Sequence, residues 1–199
     1  MKQTVLLTGF RPFLTQTVNP SQIIVEKLAA DSPSSLAALV LPVEFGRASE
    51  LLAAHLQKNS EIKHVVMLGQ AGGRRSACLE KVALNWQETD FPDEGGVRPP
   101  TGPLLQSAPT AYVNSQVDLG LVKVLQKNGP VELSFSAGTF VCNDLYFRTW
   151  HQFGQRLNLL FIHLPFLPEQ TSAAGPNLSL ERGLAIVTHY LHLSQTGEK

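Results

Sequence analysis

Apolar and polar residues along this chain fall into blocks, and the blocks change period. Residues 4–8 form an apolar, β-rich run stopped by Gly9, which predicts a first strand. Helical spacing takes over across 20–30, with Asn19 placed as N-cap and Pro20 at the first helical position. A second strand is predicted over 37–43. A helix follows over 47–56, through Ala48, Leu51, Leu52 and His55. The run 64–68 is continuously apolar and ends at Gly69, the pattern of a central strand buried on both faces. Further strands are predicted over 78–85, 133–136 and 157–164. Further helices are predicted over 119–126 behind Asp118, from Cys142 onward, and over 179–193 with Ser179 as cap.

Strands that alternate with helices predict an α/β protein: three layers, α/β/α, around a central twisted sheet that is largely parallel but mixed. No repeat or linker divides residues 1–199, so a single domain is expected. Sites in such folds lie beyond the carboxyl ends of strands. Gly9, Gly69, Gly138 and His163 all end or follow predicted strands, so one shared rim is expected. The stretch 87–107 is rich in Pro and Gly and long for a plain connection, which marks it as functional or disordered.

Composition narrows the class. Sixteen basic and sixteen acidic residues cancel, and no basic stripe is present to hold phosphates, so nucleic acid is not the expected partner. No run approaches the ~20 apolar residues of a membrane span, and the opening apolar run is too short for a signal peptide. Cys78 and Cys142 have neither metal-like nor redox-like spacing, which suits free thiols in a reducing, cytoplasmic compartment. Low charge favours self-association.

The candidate chemistry gathers around Cys142. It follows Ser136-Ala137-Gly138-Thr139-Phe140-Val141 and opens a helical run. A thiol attacks as thiolate, and a helix N-terminus, an imidazolium or partial exposure lowers its pKa. A buried structural cysteine is the alternative. His163 ends an apolar run and therefore needs a partner: it is either a satisfied core histidine or a base. Glu80 shares a strand face with Cys78 and Val82 if the alternation holds. It then either orients an imidazole or stands on the surface.

Several blocks together resolve these alternatives. They are Gly9-Phe10-Arg11-Pro12-Phe13 with Asn19-Pro20-Ser21, Leu41 to Gly46, and Gly69-Gln70-Ala71-Gly72-Gly73-Arg74 with Glu80 and Asn85. Ala108 to Tyr112, Ser136 to Asn143, and His163 to Gln170 complete the set. In this order the chain resembles the pyroglutamyl peptidase I (pyrrolidone carboxyl peptidase) family over nearly its whole length. The resemblance implies a phosphorylase/hydrolase-like fold and a cysteine exopeptidase acting on peptides with an N-terminal pyroglutamate. It implies Cys142 as nucleophile, His163 as general base and acid, and Glu80 as orienter. It also implies a lactam pocket of Phe10, Phe13, Gln70, Phe91, Phe140 and Val141, no metal or other cofactor, and a cytoplasmic homotetramer.

The chain departs from the family pattern at two places. Leu14-Thr15 stand where the pattern has Gly-Gly, and Asp90 and Glu94 stand where it has arginine and asparagine. An inward aspartate would raise the cysteine pKa. Three outcomes stay open: a slow enzyme, Arg74 or Arg75 supplying the charge, or Asp90 turned outward; activity is expected because all three triad positions are intact. The alternative is a weak or inactive homologue that only binds blocked peptide ends. A nucleoside phosphorylase is disfavoured because Gly69 to Arg75 lacks the Gly-Lys-Ser/Thr ending of a phosphate loop. His189 and His192 have no neighbouring ligands that would make a zinc site. Asn177-Leu178-Ser179 matches a glycosylation acceptor, but a cytosolic chain never meets that machinery.

Overall fold

A computed structural model describes residues 4–31, 36–172 and 174–196. Met1 to Gln3, read above with the opening segment, lie outside them. The elements run β1 (Thr4–Phe10), α1 (Pro20–Asp31), β2 (Leu36–Leu41), α2 (Arg47–Lys58), β3 (Ile62–Gln70), β4 (Ala77–Glu80), β5 (Val82–Leu84), β6 (Ala111–Val113), α3 (Leu119–Leu125), β7 (Val131–Ser134), α4 (Val141–Phe153), β8 (Asn158–Leu164) and α5 (Leu180–Thr196). The main sheet has the order β2-β1-β3-β8-β4-β7. Strands β2, β1, β3 and β8 are parallel. β4 runs antiparallel to β8 and carries the parallel edge strand β7. The expected mixed, largely parallel sheet is therefore present.

The period-two alternation of the central strands sorts their side chains into two cores. Val5, Leu7, Val66, Leu68, Leu160 and Ile162 pack against α1, α3 and α5 on one face. Leu6, Val65, Met67, Leu159 and Phe161 pack against α2 and α4 on the other. These runs read as continuously apolar because both faces are covered.

The caps follow the sequence. Asn19 Oδ1 accepts from the Ser21 N–H and hydroxyl, Asp118 Oδ1 accepts from the Leu121 N–H, and Ser179 Oγ accepts from the Arg182 N–H.

One expectation is corrected and one open alternative is settled. The strand predicted over 78–85 is two strands in two sheets. The chain breaks at Lys81, whose N–H donates to Ser134 O and whose carbonyl accepts from the Asn114 N–H. β5 then pairs antiparallel with β6, a short strand that the apolar pattern does not reveal. Val82 therefore shares no sheet with Cys78 and Glu80. The stretch 87–107 is an ordered loop. Gln87 and Gly102 form a bridge, and buried Asp93 accepts from the N–H groups of Phe45 and Val97. Glu94 accepts from Val43 N–H. Carboxylates that cap backbone donors thus do the work that a strand ladder does elsewhere.

Candidate active site

The sheet register brings the site together. Gly69 on β3 pairs with His163 on β8, and His163 pairs with Cys78 on β4. Paired residues share a sheet face, so these positions form one row on the face covered by α2 and α4. Extending the β1–β3 register sets Phe10 in the same row, in the same core cluster. Of the predicted rim, Gly69 and His163 stand in this row, Gly9 lies one residue before it on β1, and Gly138 lies on the loop that leads into α4.

His163 is buried, and its Nδ1 lies 2.8 Å from Oε1 of Glu80, which is wholly buried. The register makes this a diagonal pair: Leu79 faces Ile162, so Glu80 lies two residues from His163 along β8 on the same face. A carboxylate only accepts, so Nδ1 carries the proton and Nε2 is left with its lone pair. Burial pushes the His163 pKa down, with the nearby Arg74 cation acting in the same direction. Glu80 opposes this. The imidazole is therefore neutral at ordinary pH.

Cys142 is the second residue of α4, whose N-cap is Phe140. The first N–H groups of a helix have no intrahelical acceptor. The sulfur lies over Gly69: a Cβ built there would stand 3.0 Å from Sγ and 2.9 Å from the Phe161 ring. Only a residue without a side chain leaves that space. Because neighbouring strands are ~4.8 Å apart, this places the thiol beside the end of β8, on the face that carries His163.

The thiol itself differs from expectation. Burial pushes its pKa up to about 12, with the Glu80 charge adding to the rise and Arg74 opposing it. The side chain is half-buried in the first turn of α4, whose dipole favours the thiolate by ~0.3–2 kcal/mol and offsets only part of that rise. The resting pair is a neutral thiol beside a neutral imidazole.

The pocket residues divide into two groups. Phe13 and Phe140 pack with ring centroids 5.3 Å apart, and Phe45 meets Phe140 edge-on at 5.1 Å. All three are half-buried. Phe10 and Val141 are closed into the core behind them. Gln70 ends β3, and its Oε1 accepts from Gln170 Nε2 at 2.8 Å. Ala71 N–H donates to Leu164 O, so Leu164 fills the β8 ladder and the backbone groups of Gln70 point toward the β1 side. Phe91 stands 59% exposed on a turn joined to Thr139 through Glu88. Phe45 and Gln170 join the site without a signal of their own in the sequence. Each sits in a quoted block, but only the fold shows what it touches.

The departures are also placed. The Asp90 side chain is 92% exposed and paired with Arg98 at 3.3 Å, so it faces away from the sulfur. Glu94 faces the Val43 backbone. Leu14 holds φ 55°, the left-handed region where glycine is at ease, and its side chain is exposed.

The chain as a whole is similar to known proteins. The family model described as pyroglutamyl peptidase matches residues 3–193. The pyrrolidone-carboxylate peptidase of Gloeobacter violaceus is 38% identical, with 96% of this chain and 98% of that protein covered. Among solved structures, pyroglutamyl peptidase I from Bacillus amyloliquefaciens superposes with a TM-score of 0.86 at 34% identity, covering 95% of this chain and 93% of that one. Pyrrolidone carboxyl peptidase from Fervidobacterium islandicum gives 0.88 at 33%, covering 98% and 99%.

Proposed function

The chain belongs to the pyroglutamyl peptidase family, and from that premise we propose how it works: as a cysteine exopeptidase that removes N-terminal pyroglutamate from peptides. The observation that carries the mechanism is the Cys142 sulfur seated over Gly69, the residue in register with a His163 already bonded to Glu80.

Cys142 is the nucleophile, His163 the base and Glu80 its orienter. Because thiol and imidazole both rest neutral, proton transfer to His163 Nε2 accompanies attack on the pyroglutamyl carbonyl. The N–H groups at the start of α4 take the oxyanion. His163 then returns the proton to the leaving amine, and water cleaves the thioester.

Recognition falls to Phe13, Phe45 and Phe140, with Phe10 and Val141 behind them and Phe91 at the lip. The pyroglutamyl ring is small, flat and uncharged. Aromatic walls bury its methylenes at ~0.8 kcal/mol each, and the β1-facing backbone of Gln70 is available to the lactam amide. A pocket that hydrogen-bonds that amide rejects residues lacking it.

We further propose that residues 1–199 act as a single catalytic domain, that the protein works in the cytoplasm, where its two free thiols stay reduced, and that it assembles as a homotetramer. Light scattering on the purified protein tests the assembly.

Hydrolysis of a chromogenic pyroglutamyl amide tests the function. Turnover abolished by iodoacetamide and by Cys142→Ser is expected, while pyroglutamyl peptide binding without turnover would leave only a binding protein. The feature that favoured a binding protein, Asp90, points outward.

A further inference from the structure

One charged side chain outside these assignments reaches into the same cluster. Arg74 lies between β3 and β4, in neither strand. Its Nη1 stands 2.6 Å from Glu80 Oε1, and its Nη2 donates to the Ser136 carbonyl at 3.1 Å. Glu80 Oε1 thus faces two donors, Arg74 and His163 Nδ1, while Oε2 is buried without a hydrogen-bond partner among the described residues. Glu80 is fully buried, and the Arg74 side chain is 28% exposed. Stripping water from a carboxylate costs several kcal/mol unless a partner replaces it. The guanidinium is that partner, and its planar fork fixes direction as well as charge.

The second arm reaches a different part of the chain. Ser136 lies on the loop between β7 and α4, whose next element carries Cys142. One guanidinium therefore ties the strand that holds the orienting carboxylate to the loop that delivers the nucleophile. Resting on the proposed peptidase reading, we propose that Arg74 is a positioning residue of the reaction, a two-armed clamp that sets Glu80, and through it His163, against Cys142. Asp90 faces solvent with Arg98.

The charged and titratable groups around the clamp are Glu80, His163, Cys142, Cys78, Glu132 and Tyr146. Ser76 bonds Glu132, and the Tyr146 hydroxyl donates to the Glu80 carbonyl. Arg74 favours the Cys142 thiolate and disfavours the His163 imidazolium. Its loss moves both titrations to higher pH.

The test compares wild type, Arg74→Met and Arg74→Lys by three readouts. These are kcat and KM on a pyroglutamyl amide across pH, the pH dependence of Cys142 alkylation by iodoacetamide followed by peptide mass mapping, and Tm. Arg74→Met is expected to lower kcat about tenfold or more, the scale of one charge-assisted bond, with KM nearly unchanged. Its acid limb and its alkylation profile should both move up. Arg74→Lys keeps charge and bulk without the fork, so it should retain the pH profiles and recover part of kcat. A Met variant with wild-type kcat and unshifted profiles overturns the proposal. So does a lowered Tm with neither profile moved, which marks Arg74 as structural only. Should Met fail to fold, a Lys variant with full wild-type kcat overturns the clamp. Alkylation needs no substrate, so it judges Arg74 even if wild type fails to cleave the amide, an outcome that would instead refute the peptidase reading.

Discussion

The two sides of the cleft are held by different means. Glu80 and His163 sit on paired strands in the sheet, where ladder bonds set spacing and burial locks rotamers. Cys142 comes from a helix packed on the same face. Phe13, Phe45 and Phe140 stand instead on a loop, a turn and a helix cap, each leaning on another ring or on a carboxylate from the 87–107 loop. The difference separates two duties. Proton transfer tolerates little error in distance, so its groups are carried by regular structure. Recognition of a small apolar ring tolerates more, so its walls are carried by loops. Damage to the first side should appear in kcat and damage to the second in KM.

The largest expected effect comes from the sulfur. Cys142→Ser should abolish measurable turnover while leaving Tm near wild type. Cys78→Ser should stay within a few-fold, because a serine hydroxyl can keep both polar contacts of the Cys78 thiol, the one to Ser76 O two residues back along the chain and the one to Arg74. Comparable loss from both would show that the two thiols are not distinct. Glu80→Gln follows, with kcat expected to fall on the order of 10²–10⁴-fold by loss of the tautomer that leaves Nε2 free. Unaltered kcat in that variant would remove Glu80 from the mechanism.

Gly69→Ala tests the seat of the sulfur. Its methyl group would stand 3.0 Å from Sγ and 2.9 Å from the Phe161 ring, so a stability loss of about 1–3 kcal/mol and a marked kcat drop are expected, with KM less affected. Phe13→Ala tests the other side. It should raise KM by roughly one to two decades, the ~1.5–3 kcal/mol of a buried aromatic wall, while kcat changes less. A kcat-only effect there would break the division of duties. Leu14→Gly is the smallest. Relief of the left-handed strain should raise stability by up to ~1–2 kcal/mol, read as a higher Tm with activity nearly unchanged.

His163 also predicts a pH response with a definite sign. Its folded pKa lies below the ordinary 6.5, so the unfolded chain takes up a proton that the folded one refuses. Its share of stability is complete above about 6.5 and falls as pH drops from there through the folded value. Activity needs the neutral ring, so its acid limb should lie below 6.5. A limb above 6.5 would show the imidazolium to be favoured, contrary to its burial.

Much of the layout was legible in residue order. Apolar runs ending at glycine marked the central strands, Asn19, Asp118 and Ser179 marked helix starts, and Cys142, His163 and Glu80 could be singled out by type and by the blocks around them. These features depend on nearest neighbours along the chain, where periodicity and capping act. The break at Lys81, the strand β6 and the order of the 87–107 loop were not legible, because each depends on backbone partners far away in sequence.

Local pattern therefore establishes which residues are available and which elements carry them. The charge state of the thiol, the outward turn of Asp90, the space that Gly69 leaves and the two arms of Arg74 belong to the folded molecule alone. Burial and electrostatic interaction depend on what surrounds a group in three dimensions. Residue order constrains those surroundings only once the sheet has closed its register.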